Sequence, residues 1–164
     1  MSSVTRITFM VLGVVVGAIV VFYVYIGRVS IVERKAEVRI GGQTVIVDVA
    51  KTEKDRARGL SGRTKIGINE GMLFLFPNEG RYPFWMKDMR VPIDILWIRE
   101  GRIVGVEEMV YPEQNISPEM LTLYTSPLPV DKVLELAGGR FHILRARIGN
   151  VVRIRPLVGG SALP

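Results

Sequence analysis

From Arg81 to Asp94 the chain reads Arg-Tyr-Pro-Phe-Trp-Met-Lys-Asp-Met-Arg-Val-Pro-Ile-Asp, a mixture of rings, charges and prolines. Successive side chains of an extended segment alternate between two faces. Trp85 and Lys87 are therefore expected on one face, with Phe84, Met86 and Asp88 on the other. A ring beside an ammonium group, near the carboxylates Asp88 and Asp94, can hold a small polar ligand by stacking and charge. The competing expectation is packing: aromatic and methionine side chains most often fill cores, which would leave Lys87 and Asp88 as a solvated turn pair.

Asp94 is unusual in its surroundings, flanked by Ile93, Ile95, Leu96, Trp97 and Ile98. A carboxylate in such a run is satisfied by backbone N–H groups, paired with a base such as Arg58 or Lys87, or held ready for acid–base work. Glu107 and Glu108 offer a second carboxylate on the following strand. Other chemistry is poorly supported. The chain has no cysteine and a single histidine, His142, which excludes thiol chemistry and leaves Cys/His zinc sites without ligands. Gly59-Leu60-Ser61-Gly62 is not a nucleophile elbow, and there is no phosphate loop or dinucleotide fingerprint. No cofactor or metal is expected.

These residues must be positioned by short strands. Glu37–Ile40 and Gln43–Val49 flank Gly41-Gly42, the pattern of a two-residue β-hairpin. Thr52 with Asp55 three residues on predicts a helix cap, and the helix should run through Arg58 and stop at Gly59. Met72–Phe76 reads as a buried strand ended by Pro77, followed by an Asn78-Glu79-Gly80 turn. Ile93–Ile98 and Arg102–Val106 form a second hairpin around Glu100-Gly101. Residues 111–129 are a proline-marked loop, and Val133–Leu136 fits strand or helix. Arg140–Arg145 suits a turn of helix and Val151–Ile154 a last strand. Many short strands between turns predict a mainly β fold, a small barrel-like or closed sheet with one or two short helices.

The whole chain has 164 residues and a net charge of +6, with Arg140, Arg145, Arg147, Arg153 and Arg155 gathered near its end. The two-residue spacings 145/147 and 153/155 predict outward strand faces. Only Phe141 is interleaved with them, so no nucleic acid is expected as a partner.

No charged residue occurs from Ile7 to Ile26. At about 1.5 Å per residue this run is long enough to cross a hydrocarbon layer of about 30 Å. It exceeds the apolar stretch of a signal peptide and lacks a small-x-small cleavage site, so a retained transmembrane helix is expected. The divisions are then 1–6 as a tail, 7–26 as the anchor, 27–35 as a connector, 36–156 as the domain and 157–164 as a loose end. Gly13 and Gly17 give a weak hint of helix pairing. Arg6 before the run, against Arg28, Arg34 and Lys35 after it, leans slightly toward a cytoplasmic domain.

Several motifs occur in order: Arg58-Gly59-Leu60, Glu70-Gly71-Met72-Leu73-Phe74-Leu75-Phe76, Phe84-Trp85-Met86-Lys87-Asp88, Pro92-Ile93-Asp94-Ile95 and Val133-Leu134-Glu135-Leu136-Ala137-Gly138. As a series they resemble the domain of unknown function 192 (DUF192) family from about Val38 to Ile154. The resemblance implies a compact β-rich, barrel-like domain, a strand at Val133–Leu136, and a location outside the cytoplasm. It brings no established activity. The family's motif residues match at Arg58, Gly59, Trp85, Lys87, Pro92 and Asp94. Ser61 stands where the family often has methionine, Asp88-Met89 where it has Asn-Thr, and Gly149-Asn150 where it has Gly-Asp.

Three functions fit these residues. The first is a membrane-anchored binding module outside the cytoplasm. Its pocket of Arg58, Trp85, Lys87, Asp88 and Asp94 would take a small polar or anionic ligand, saccharides included. The second is a hydrolase or lyase with Asp94 or Glu107 as base and Lys87 or Arg58 stabilising negative charge. The third is a structural or assembly factor for other envelope proteins.

Overall fold

The computed structural model describes residues 35–157. The expected anchor 7–26, the Gly13/Gly17 pair and the end of the tail lie outside the described residues. Among the described residues no helix is long and apolar enough to cross a membrane.

The first hairpin forms as expected from β1 (Lys35–Ile40) and β2 (Gln43–Ala50). Gly41 and Gly42 make its turn with φ of 58° and 86°, a left-handed pair that glycine adopts without strain. The capped helix α1 follows (Glu53–Arg58). Next come β3 (Gly71–Gly80), β4 (Ile93–Arg99), β5 (Arg102–Val110), β6 (Val130–Ala137), the short α2 (Arg140–Ile143) and β7 (Arg153–Leu157). The 111–129 loop carries one 3-10 turn, Pro118–Met120.

Three expectations need correction. β3 does not stop at Pro77 but continues to Gly80, with its register against β6 broken between Leu75 and Gly80. Pro77 lies in that irregular stretch, where no ladder N–H is required. Arg145 and Arg147 lie in the turns after α2 and not on a strand, and Arg140 is buried.

The third correction concerns closure. The seven strands form one sheet in the order β5-β4-β6-β3-β2-β1-β7, which is not a closed barrel. Its outer strands approach only at the bridge between Arg102 and Val151. That bridge is made by the turn before β7, where Ile103 N–H donates to Asn150 O at 3.0 Å and Val152 N–H to Gly101 O at 2.8 Å. β7 itself pairs with β1, so the ladder does not propagate around. In that pairing Arg39 stands opposite Arg153.

Both faces of the sheet are covered. Val38, Val47, Leu73, Leu96, Ile98, Leu134 and Leu136 pack on one side with Phe141 and Leu144. Met72, Phe74, Ile93, Ile95, Trp97 and Val133 pack on the other with Leu60 and Met86. The central strands β3, β4 and β6 are thus apolar on both faces, which explains their continuous apolar runs. The period of two also sorts the charges. Asp94 faces the Leu96 side, whereas Glu135 faces the Val133 side.

Candidate functional site

The cleft on the Glu135 side is built from α1, the end of β3 and the segment after it. Thr52 caps α1, its side-chain oxygen accepting from Asp55 N–H at 3.1 Å. The helix ends at Gly59 with φ of 52°, which turns the chain so that Leu60 enters the core. Arg56 ties the helix to β3: its Nη1 donates to the carbonyls of Lys51 at 2.6 Å and Leu75 at 3.0 Å. Its guanidinium lies 5.2 Å from the centroid of Phe76. Arg58, one turn end further, is exposed and has no hydrogen-bond or ion-pair partner among the described residues.

Aromatic rings form the facing wall. Phe76 and Tyr82 stack with centroids 3.6 Å apart and planes 8° from parallel. Phe84 meets Phe74 edge-on at 5.0 Å and Trp97 at 5.4 Å. Phe84 is held in place by two backbone bonds with Tyr124, at 2.9 and 2.8 Å. Burial, with the nearby Glu113 and Glu107, raises the Tyr124 phenol above its ordinary range. Trp85 remains 49% exposed, while the adjacent Met86 is buried. The expected alternation of Trp85 and Lys87 against Phe84, Met86 and Asp88 extends only through Met86. Lys87 and Asp88 form a turn, Asp88 being exposed with φ of 57°, because only Phe84 of this stretch joins a β-bridge.

Between these walls lies an open cleft of about 190 Å³, lined by Arg56, Arg58, Phe76, Tyr82, Phe84 and Trp85, together with Phe74, Met89 and Glu135. Of the expected site residues, Arg58 and Trp85 come together here. Lys87 and Asp88 are exposed on the adjoining turn and do not line the cleft. Their carbonyls fasten that turn to the loop after α1, accepting from Ser61 Oγ and Gly62 N–H, each at 2.9 Å.

Asp94 is on the opposite face of the sheet. Its Oδ1 accepts from Met109 N–H and Gly139 N–H, both at 2.9 Å, and its Oδ2 from Phe141 N–H at 2.7 Å. The carboxylate thereby fills the bulge of β5 and holds the start of α2, a tie between distant segments. Of the remaining titratable candidates, His142 is exposed with Nδ1 3.9 Å from Glu108. Among the described residues no three His, Asp or Glu converge as a metal would require.

Glu135 was not among the expected site residues. It lines the cleft, is only 5% exposed, and has no hydrogen-bond partner among the described residues. Burial raises its pKa to about 8, with Arg63 opposing the shift. Arg63 is itself bound to Asp48 Oδ2 at 2.6 Å. The available signal was a glutamate amid Val133, Leu134 and Leu136, the same situation that drew attention to Asp94.

Comparison with known proteins adds the family. Two solved structures share the fold. One, from Sinorhizobium meliloti 1021 and provisionally described as a transcription regulator, is 30% identical with a TM-score of 0.65. The match covers 73% of this chain and 92% of that one. The other, a protein of unknown function from Novosphingobium aromaticivorans DSM 12444, is 26% identical with a TM-score of 0.63. There the match covers 73% of this chain and 83% of the other. No curated protein matches. The family model described as "Uncharacterized ACR" matches residues 36–154, well over half of the sequence, and the chain belongs to the DUF192 family.

Proposed function

We propose that this protein is a membrane-anchored binding module outside the cytoplasm, and that the cleft between α1 and the Tyr82–Trp85 segment takes a small polar or anionic ligand. One observation carries the reading: an unpartnered guanidinium, Arg58, stands at the mouth of a recess lined by aromatic rings. Arginine recognises carboxylate or phosphate through paired N–H donors. Trp85 contributes a half-exposed ring on which the body of a ligand, including a sugar ring, can stack. An acid–base role through Asp94 gains no support, because three N–H donors already engage that carboxylate away from the cleft.

The Sinorhizobium protein is described as a transcription regulator, a role for which this chain's C-terminal arginines give no support. Here Arg140 is buried against Asn69, and Arg155 is bound to Glu37 at 2.7 Å. The C-terminal arginines therefore do not form a continuous basic stripe.

Calorimetric titration of the full-length chain with organic acids and with mono- and disaccharides tests the cleft. Binding that is weakened at least tenfold by Arg58→Ala and by Trp85→Ala supports it, and absence of heat from every compound overturns it. Protease added to sealed vesicles of known orientation tests the placement: a domain cleaved only from the cytoplasmic side would refute it.

A further inference from the structure

Resting on that reading of the cleft, we propose that Glu135 is its inner contact and selects ligands carrying a primary ammonium group, with the anionic group of the same ligand at Arg58. Glu135 lines the cleft together with the aromatic residues, is nearly buried, and has no hydrogen-bond partner among the described residues. A nearly buried carboxyl with no protein donor is poorly solvated, and a donor brought by a ligand improves its solvation. Aromatic linings favour cations over anions, so a ligand ammonium finds two kinds of partner in the same cleft.

The surrounding charges leave this role open. Arg63 is engaged by Asp48. Arg56 is bound to two carbonyls and stacked over Phe76, and Arg58 stands at the mouth. Asp94 is on the other face of the sheet. Glu107 shares the Glu135 face but lies beyond Ile95, across the width of β4. No charge on a neighbouring strand substitutes for the ligand's.

Burial keeps the Glu135 carboxyl protonated at neutral pH. An incoming ammonium favours its ionised form. The proton then leaves for solvent, and an ammonium–carboxylate pair replaces the neutral acid. Amine binding at pH 7 must therefore release protons, whereas a neutral donor such as a hydroxyl need release none.

The test uses 4-(aminomethyl)benzoate and 4-(hydroxymethyl)benzoate, which share a carboxylate for Arg58 and differ at the other end. The full-length chain is titrated calorimetrically at pH 7 in two buffers of different ionisation enthalpy. The amine is expected to bind about tenfold more tightly or better, as a charge-assisted bond implies. It should also release a proton, and Glu135→Gln should remove both the preference and the release. If both compounds bind alike without proton release, and Arg58→Ala weakens both, Glu135 is no selector although the cleft reading stands. A preference that survives Glu135→Gln also overturns the inference. If neither compound binds at millimolar concentration, the cleft reading falls and the inference with it.

Discussion

The N–H of Phe141 donates to Asp94 Oδ2 at 2.7 Å, joining residues 47 apart in sequence. With Met109 and Gly139 donating to Oδ1, one carboxylate satisfies three backbone amides from two separate segments. An amide side chain would present an NH2 group to at least one of those donors. Asp94→Asn is therefore expected to destabilise the domain by roughly 2–3 kcal/mol, measured by urea denaturation. Unchanged stability would show that the three bonds contribute little.

Glu135 sets a pH dependence of the opposite sense to a salt-bridged acid. Its pKa is raised from 4.5 to about 8, so the folded state holds a proton that the unfolded chain has lost between those values. The associated stability is complete below about pH 4.5 and declines as pH rises toward 8. Melting temperature should fall across this window, and Glu135→Gln should flatten that fall. A native profile identical to the variant's would contradict the assignment.

Gly71 opens β3 directly against β6, and a Cβ there would strike the backbone carbonyl of Glu135. Relief would require the two central strands to separate. Gly71→Ala should cost about 3 kcal/mol or more, in the range of severe packing defects, and should prevent ligand binding by displacing Glu135. Circular dichroism melts would register it, and a shift within error would rule out the clash.

Phe84 and Trp85 are adjacent yet should respond differently. Phe84 contacts Phe74, Phe76 and Trp97, so Phe84→Ala should cost about 3 kcal/mol. Trp85 is half exposed, and Trp85→Ala should cost less than about 1 kcal/mol while abolishing ligand binding. Equal losses of stability in the two variants would place Trp85 in the core.

What could be read from the sequence was mostly local. The Gly41-Gly42 turn, the Thr52 cap and the Glu100-Gly101 hairpin depend on residues within a few positions of one another. Asp94 stood out by its apolar neighbours, and backbone N–H partners were among the expected outcomes. Their origin at Met109, Gly139 and Phe141 depends on tertiary placement. Glu135 was missed because its meaning depends on β6 being a central strand, paired with both β3 and β4. Pro77 misled because proline usually ends a strand, whereas an irregular ladder accommodates it. Openness of the sheet depends on whether its two outermost strands meet, which no short stretch of sequence encodes.

The facing arginines on β1 and β7 have a consequence for crowded conditions. Among the described residues β7 is an outermost strand, and an open strand edge invites the addition of another chain. Arg39 and Arg153 lie directly opposite each other and both are exposed. A second copy approaching in register would bring arginine against arginine, and the mutual repulsion disfavours fibre-like stacking. Salt weakens that protection, since screening at about 1 M shortens the reach of charge to about 3 Å. Edge-to-edge association through β7 is therefore expected to be weaker at low ionic strength than at high.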